Sequence, residues 1–391
     1  MKTSLFKIMQ AGILTVLFIA VLIPGSCTGI SDDSVTYQTI GNDTLYQCDA
    51  SKINRLETIR LSEWISDFQI VRFEDSDTAL FKFWKVYITE HYIGILQNAQ
   101  SPFKLFNHQG RFICDVGSIG QGPGEYTMLY SAAIDERTNT VCLAPFSGDK
   151  LLKYTLNGDF VCPVSIGKMQ KPQIRFETDG SISLVHLCFR NMTGFQYARI
   201  DSDNHVSYIL PDKNQAVDAR DKHGNFVGFN HEIWFYSNTA DFTYMTTAID
   251  TLYKFNPQNG QTTPRFTMTN HTGFYCVYNE FPSCFIINAG PVVKDLWKPE
   301  SGIVVMDKQS KQSYYAKVIN DQAGHLPVND LPYSNNGWYH EMFEPYQLIE
   351  KIQAHLKENK CSKEDRKILE ELKNSIDEDG NNILFMGKIK K

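Results

Sequence analysis

The chain has 391 residues, enough for one large domain or two ordinary ones, and Lys+Arg 38 against Asp+Glu 44 give it a net charge of -6. That balance leaves no basic footprint, so no nucleic-acid partner is expected. Hydrophobic residues at 42% and charged residues at 21% exclude a disordered chain, and aromatics at 13% favour strands over helix bundles.

The chain opens with Lys2 and Lys7 ahead of a short apolar run from Ala11 to Ile23. A membrane-spanning helix needs roughly 20 apolar residues, so this run reads as a secretory signal peptide instead. Gly25 and Ser26 then lead into Cys27, and the stretch resembles a bacterial lipobox, although Pro24 departs from its pattern. The resemblance implies cleavage after residue 26 and lipidation of Cys27, which would attach the protein to a membrane by acyl chains. Ser31-Asp32-Asp33-Ser34 resembles the acidic signal that sends Bacteroidetes lipoproteins to the cell surface. The expected location is therefore the outer membrane of a Gram-negative envelope, with surface exposure. Eight further cysteines show no CxxC pair and no zinc-finger spacing, so most are expected as buried thiols. Cys276 and Cys284 flank a turn-like segment where a bridge is conceivable.

A repeated strand unit follows. Pro102 to Cys114 reads as strand, polar turn and strand, and Leu151 to Cys162 repeats it with Gly110 and Gly158 in matching places. The design returns at Ala198 to Ile209, Leu252 to Phe266 and Gly302 to Val318. Successive turns near 110, 158, 204, 260 and 311 lie 48, 46, 56 and 51 residues apart. One hairpin cannot bury its apolar face alone, and this spacing fits about four strands per unit, a propeller blade. Six blades of about 50 residues would use roughly 300 residues.

Between the first two units stands Gly117-Ser-Ile-Gly120-Gln121-Gly122-Pro123-Gly124-Glu125-Tyr126. This run resembles the G-x-GQGPGEY loop of the six-bladed β-propeller lipoproteins of Bacteroidetes, a largely uncharacterised, NHL-like family. Ile70 to Leu80, Gly94 to Leu96, Lys104 to Phe106 and Ile376 to Met386 resemble other parts of the same family. The resemblance implies a fold and an envelope address, not an activity. The loop lacks the Gly-Lys-Ser/Thr of a Walker A motif and reads as a blade-to-blade connector, with Glu125 and Tyr126 locking neighbours.

Towards the C-terminus, Leu348, Ile349, Ile352 and Leu356 recur at helical spacing, and Ser362-Lys-Glu-Asp365 reads as a helix N-cap ahead of Ile368, Leu369 and Leu372. Two helices are expected to cover a face or edge of the propeller. Ile383 to Met386 is expected to close the ring beside an N-terminal strand such as Val35 to Ile40. The organisation expected is a signal peptide over 1–26, a lipidated Cys27 with tether and first strand over 27–50, and a propeller over 51–391 with a helical insertion near 344–375.

Chemistry is sparse. No GxSxG, HxH or HExxH occurs, so no cofactor is expected, and a divalent metal enters only as an alternative. His91, His186 and His231 fall near strand starts on different blades and would make a channel site if they converged. Arg220 lies in a charged loop over residues 212–230, and Trp297, Trp338 and Tyr339 offer stacking surfaces. The reading favoured is an envelope-anchored binding module for a glycan, peptide or protein partner. A lyase or hydrolase with a central-channel site is the alternative.

Overall fold

The computed structural model describes residues 33–391 except 99, 191–193, 211–214, 227, 248, 272–273, 292–301 and 359–360. Strands dominate, and they form a six-bladed β-propeller. Blade 1 is a four-stranded antiparallel meander over Phe83–Ile88, Tyr92–Gln97, Phe103–Asn107 and Phe112–Val116. Blade 2 repeats it from Leu129–Asp135 to Phe160–Gln170, and blade 3 from Gln173–Phe176 to Val206–Ile209. Blades 4 and 5 begin at Ile233–Trp234 and Phe274–Glu280. Blade 6 has three strands, Trp338–Phe343, Ile383–Ile389 and Ile65–Arg72.

All five hairpins read from the sequence join the third and fourth strands of blades 1 to 5. Their turns share a local cause. Asn107 Oδ1 accepts the backbone N–H groups of Gln109 and Arg111, and Asp201 and Asp307 do the same for residues following them. The glycine spacing has a second cause. Gly110 (φ 78°) sits so close to the preceding blade that a Cβ would lie 2.0 Å from the Arg72 carbonyl oxygen, and Gly158 (φ 86°) meets Asp115 O at 2.5 Å. Each turn thus abuts the outer strand of the blade before it, and only glycine fits.

Six apolar clusters fill the six seams. Val71, Leu384 and Met386 of blade 6 meet Val86, Ile93 and Phe106 of blade 1. Leu105 meets Val141 and Leu143 between blades 1 and 2. Leu151 and Ile166 meet Leu184 and Ile200 between blades 2 and 3. Tyr197 meets Phe242 and Tyr244 at the next seam, and Phe266 meets Phe285 at the fifth. Ile286 and Val318 meet Phe385 at the last.

The closing strand does pair with an N-terminal strand, but with Ile65–Arg72 rather than Val35–Ile40. Val35–Ile40 instead forms a hairpin with Asp43–Asp49, which pairs in parallel with Thr262–Thr269 at the outer edge of blade 4. Leu56–Arg60 likewise covers the edge of blade 5 against Ser313–Asn320. The described part of the span expected as tether and first strand is therefore a hairpin of the sheet system that blunts the edge of blade 4, and Leu56–Arg60 blunts that of blade 5.

Helices α1 (Pro345–Lys357) and α2 (Lys363–Asn374) connect two strands of blade 6. They bury Leu348, Ile352, Leu369 and Leu372 on the seam between blades 5 and 6. Ser362 caps α2 by accepting the Asp365 N–H at 3.0 Å. Cys276 and Cys284 are free thiols in different clusters, so no bridge joins them. Among the described residues, no helix is long and apolar enough to cross a membrane.

Candidate functional site

The first strands of blades 1 to 4 line a central cavity of about 510 Å³. They run the same way along the channel, so one end gathers their starts and the other their ends. In blade 6 the innermost place belongs to an irregular stretch containing the 3-10 turn Leu331–Tyr333 and an isolated bridge between Asn335 and Trp338.

That stretch crosses the end where the strands finish. Asn335 and Asn336 donate from their amides to the Val86 and Ile88 carbonyls of blade 1 at 3.0 and 2.9 Å. On the opposite side of the ring, the Asn336 N–H donates to Tyr236 O at 2.7 Å, and Asn238 Oδ1 accepts the Gly337 N–H at 2.8 Å. Asn238 and Asn279 both donate to Ser334 O at 2.7 Å. The channel therefore has a hydrogen-bonded floor. Beside it, His340 is pushed down to about 4 by burial, so its ring is neutral at ordinary pH. Its Nδ1 and Asn335 Oδ1 are buried without a partner among the described residues.

The other end carries the charge. Lys85 Nζ donates to the Tyr130 carbonyl at 2.7 Å and lies 3.9 Å over the Tyr130 ring and 4.6 Å over that of Trp84. Among the described residues, Lys85 has no carboxylate within ion-pair distance. Burial pushes its amine down to about 7; Glu232 pulls the other way, and the nearby Lys171 cation adds to the lowering. Glu232 is already engaged. It accepts hydrogen bonds from the Lys171 ammonium on one oxygen and from the Tyr130 hydroxyl on the other. Trp84, Tyr87, Tyr130, Trp234, Tyr236 and Tyr333 supply aromatic lining. Arg175 also borders the cavity, yet its guanidinium is spent on Glu177 and on the carbonyls of Ala240 and Asp241. A pocket of this size, largely aromatic with a few aimed polar groups, is suited to a small ligand.

The residues singled out by sequence lie elsewhere. His91, His186 and His231 do not converge. His91 is exposed and bonds Glu136 Oε2 at 2.6 Å, which raises its pKa. His186 is buried and engages the Phe195 and Leu187 carbonyls. His231 faces Asp218 O at 3.1 Å, while its own carbonyl accepts Lys171 Nζ. The reason is strand polarity: His91 follows a first strand, whereas His231 precedes one, so they sit at opposite ends of the ring. Arg220 bonds Gly224 O within its own exposed loop. Trp338 is 7% exposed and packs edge-on to His108 in the seam between blades 6 and 1. Cys27 and Trp297 lie outside the described residues.

The loop from Gly120 through Gln121, Gly122, Pro123 and Gly124 joins blade 1 to blade 2. Glu125 accepts the Gly122 N–H at 2.8 Å, folding the loop on itself, and a Cβ at Gly120 would meet that carboxylate at 2.0 Å. Tyr126 donates to Val116 O and accepts the Phe103 N–H, tying the loop to blade 1, while Tyr154 of blade 2 donates to Gly124 O.

The cavity residues Lys85, Tyr130, Glu232, Asn335 and His340 were not singled out by sequence. Two left a trace. Lys85 stands inside Phe83-Trp84-Lys85-Val86-Tyr87 and His340 inside Trp338-Tyr339-His340-Glu341-Met342-Phe343. A charge or imidazole inside an aromatic strand must be paired or face a cavity.

Comparison with known proteins gives a family and a fold. The family described as domain of unknown function DUF4934 matches residues 45–388, and the chain belongs to it. No functionally curated protein matches. Among solved structures, the chain is similar to a protein described as exported from Bacteroides fragilis, at 14% identity and TM-score 0.58, covering 89% of this chain and 100% of that one. A DUF4221 member from Bacteroides vulgatus shows 9% identity and TM-score 0.46 over 83% of this chain and 98% of that one. Virginiamycin B lyase from Staphylococcus aureus shows 12% identity and TM-score 0.40 over 64% and 74%. At these identities the likeness speaks to fold alone.

Proposed function

We propose that this member of the DUF4934 family is an envelope binding module whose channel receives a small acidic glycan fragment. The observation that carries the reading is Lys85, an amine on the cavity wall with aromatic rings and a carbonyl around it and, among the described residues, no carboxylate within ion-pair distance. A ligand carboxylate would supply the missing counter-charge, and sugar rings would stack on Trp84 and Trp234. Lys171 cannot serve in the same way because Glu232 already neutralises it.

The address is part of the proposal. A basic start, a short apolar run and Cys27 support export and lipid attachment, and the similar Bacteroides fragilis protein is itself described as exported. Neither a cofactor nor a second macromolecule is needed for this reading.

Titration calorimetry with a uronate oligosaccharide, its neutral counterpart and an acidic peptide tests it. The uronate should bind, the neutral sugar should bind at least about tenfold more weakly, and Lys85→Met should remove the difference. Equal affinity for the charged and neutral sugars would sink the role given to Lys85. A second reading rests on the same amine. An amine near 7 is partly neutral at ordinary pH and is fit to take a proton from carbon next to a carboxylate, as a lyase requires. Growth of ultraviolet absorbance from an unsaturated product during the titration would favour that reading over simple binding.

A further inference from the structure

A second cluster lies outside the cavity lining, at the seam between blades 4 and 5. Asp250 stands in the strand Ile249–Phe255 of blade 4, His271 follows the strand Thr262–Thr269, and Cys276 belongs to the first strand of blade 5. One carboxylate oxygen, one imidazole nitrogen and the thiol sulphur all lie within 4.8 Å of one another. In a tetrahedral site with bonds of about 2.0–2.3 Å, neighbouring ligand atoms stand roughly 3.5 Å apart. Small side-chain rotations would bring these three to that spacing.

The surroundings hold the donors in place. His271 Nε2 bonds one oxygen of Asp250, and the Tyr278 hydroxyl donates to the other. Such a hydroxyl fixes a carboxylate from behind, as supporting groups around metal ligands do. Cys276 is 3% exposed, and its Sγ lies 3.7 Å from Met268 Sδ. Asp250 is 40% exposed and His271 17%, so a path inward from the surface runs along the carboxylate. The donor set mixes sulphur, nitrogen and oxygen. Calcium and magnesium prefer oxygen alone, whereas zinc accepts all three.

We propose that Asp250, His271 and Cys276 bind one zinc-type divalent cation that clamps blade 4 to blade 5. Binding replaces the thiol proton and the proton between His271 and Asp250, both of which pass to solvent. The fourth position takes water or the Met268 thioether. The ion's role is structural, because the thiol is enclosed.

The test uses the full chain lacking residues 1–26, stripped with a chelator and dialysed metal-free. Zinc titrated against a chromophoric competitor should bind at one equivalent and raise the melting temperature. Cobalt should give a thiolate charge-transfer band. Cys276→Ser should abolish the band and weaken zinc on the order of 100-fold, while Cys284→Ser, another buried thiol outside the cluster, should leave both intact. If Cys276→Ser does not fold by circular dichroism, His271→Ala serves, since that side chain is partly exposed. Zinc binding by the wild type no tighter than by the folded variant overturns the proposal. So does a cobalt band that survives loss of the thiol or fades in Cys284→Ser.

Discussion

Blades 2 and 6 build the same kind of sheet from opposite kinds of chain. Blade 2 is one uninterrupted meander over Leu129–Asp135, Thr140–Pro145, Ser147–Thr155 and Phe160–Gln170, so each strand finds its partner across a short turn. Blade 6 draws Ile65–Arg72 from one end of the chain and Ile383–Ile389 from the other, with two helices inserted before the latter. Its contacts carry a far larger loop-closure cost, and its innermost position is irregular. The difference divides the channel as well. Regular first strands supply the charged end, and the irregular stretch of blade 6 supplies the floor. Where the chain departs from its repeat, it closes both the ring and the cavity.

The sharpest way to break this comparison is to remove the closing strand. Deleting residues 383–391 strips blade 6 of its middle strand and exposes Leu384, Phe385 and Met386 partners at two seams. The expected outcome is loss of cooperative folding by circular dichroism and size exclusion. Deleting residues 33–49, which cover the edge of blade 4 and bury Cys48 at its seam with blade 5, should leave a folded protein of lower melting temperature.

Next in size are two glycines that do the same job at different seams. Gly110→Ala and Gly158→Ala should each cost about 1–3 kcal/mol in urea unfolding, from a side chain forced to positive φ beside backbone. Gly110 should cost more, because its Cβ would meet Arg72 O at 2.0 Å against 2.5 Å for Gly158 and Asp115 O. Equal or reversed values would mean that the closing seam yields more readily than the local one.

The charged end offers a pH handle. The cationic form of Lys85 is the one that attracts an anion, and burial pushes its amine down to about 7. Affinity for a uronate should be full below that pH and fall above it, by up to roughly tenfold per pH unit, until the pKa of the bound state is passed. Lys85→Met should flatten the profile. His340, held neutral down to about 4, should add nothing in this range.

Smallest of all is Lys388→Ala. The pair between Lys388 and Glu90 links the closing strand to blade 1 at 2.8 Å, but both side chains are largely exposed. Its loss should change stability by less than about 1 kcal/mol. A larger cost would show that ring closure leans on surface charge rather than on the apolar seam.

Much of the scaffold was legible because its causes are local. Asn107, Asp201 and Asp307 announce turns by capping their own backbone, and Gly110 and Gly158 announce the repeat because each must fit against the blade before it. Helix α2 was readable from Ser362 and the spacing of Leu369 and Leu372. The partner of the closing strand was misplaced because Val35–Ile40 and Ile65–Arg72 both carry strand patterns, and alternation says nothing about which distant edge is open.

The site was not legible. Three histidines drew attention by residue type, yet position relative to a first strand put His91 at one end of the ring and His231 at the other. Lys85, Tyr130 and Glu232 come from blades 1, 2 and 4 and look ordinary in isolation. Sequence alone determined the repeat, the turns and the propeller, since hydrogen bonding and burial act there over a few residues. Only the tertiary structure decided which side chains face the channel, because that depends on strand direction and on where six separate sheets meet around one axis.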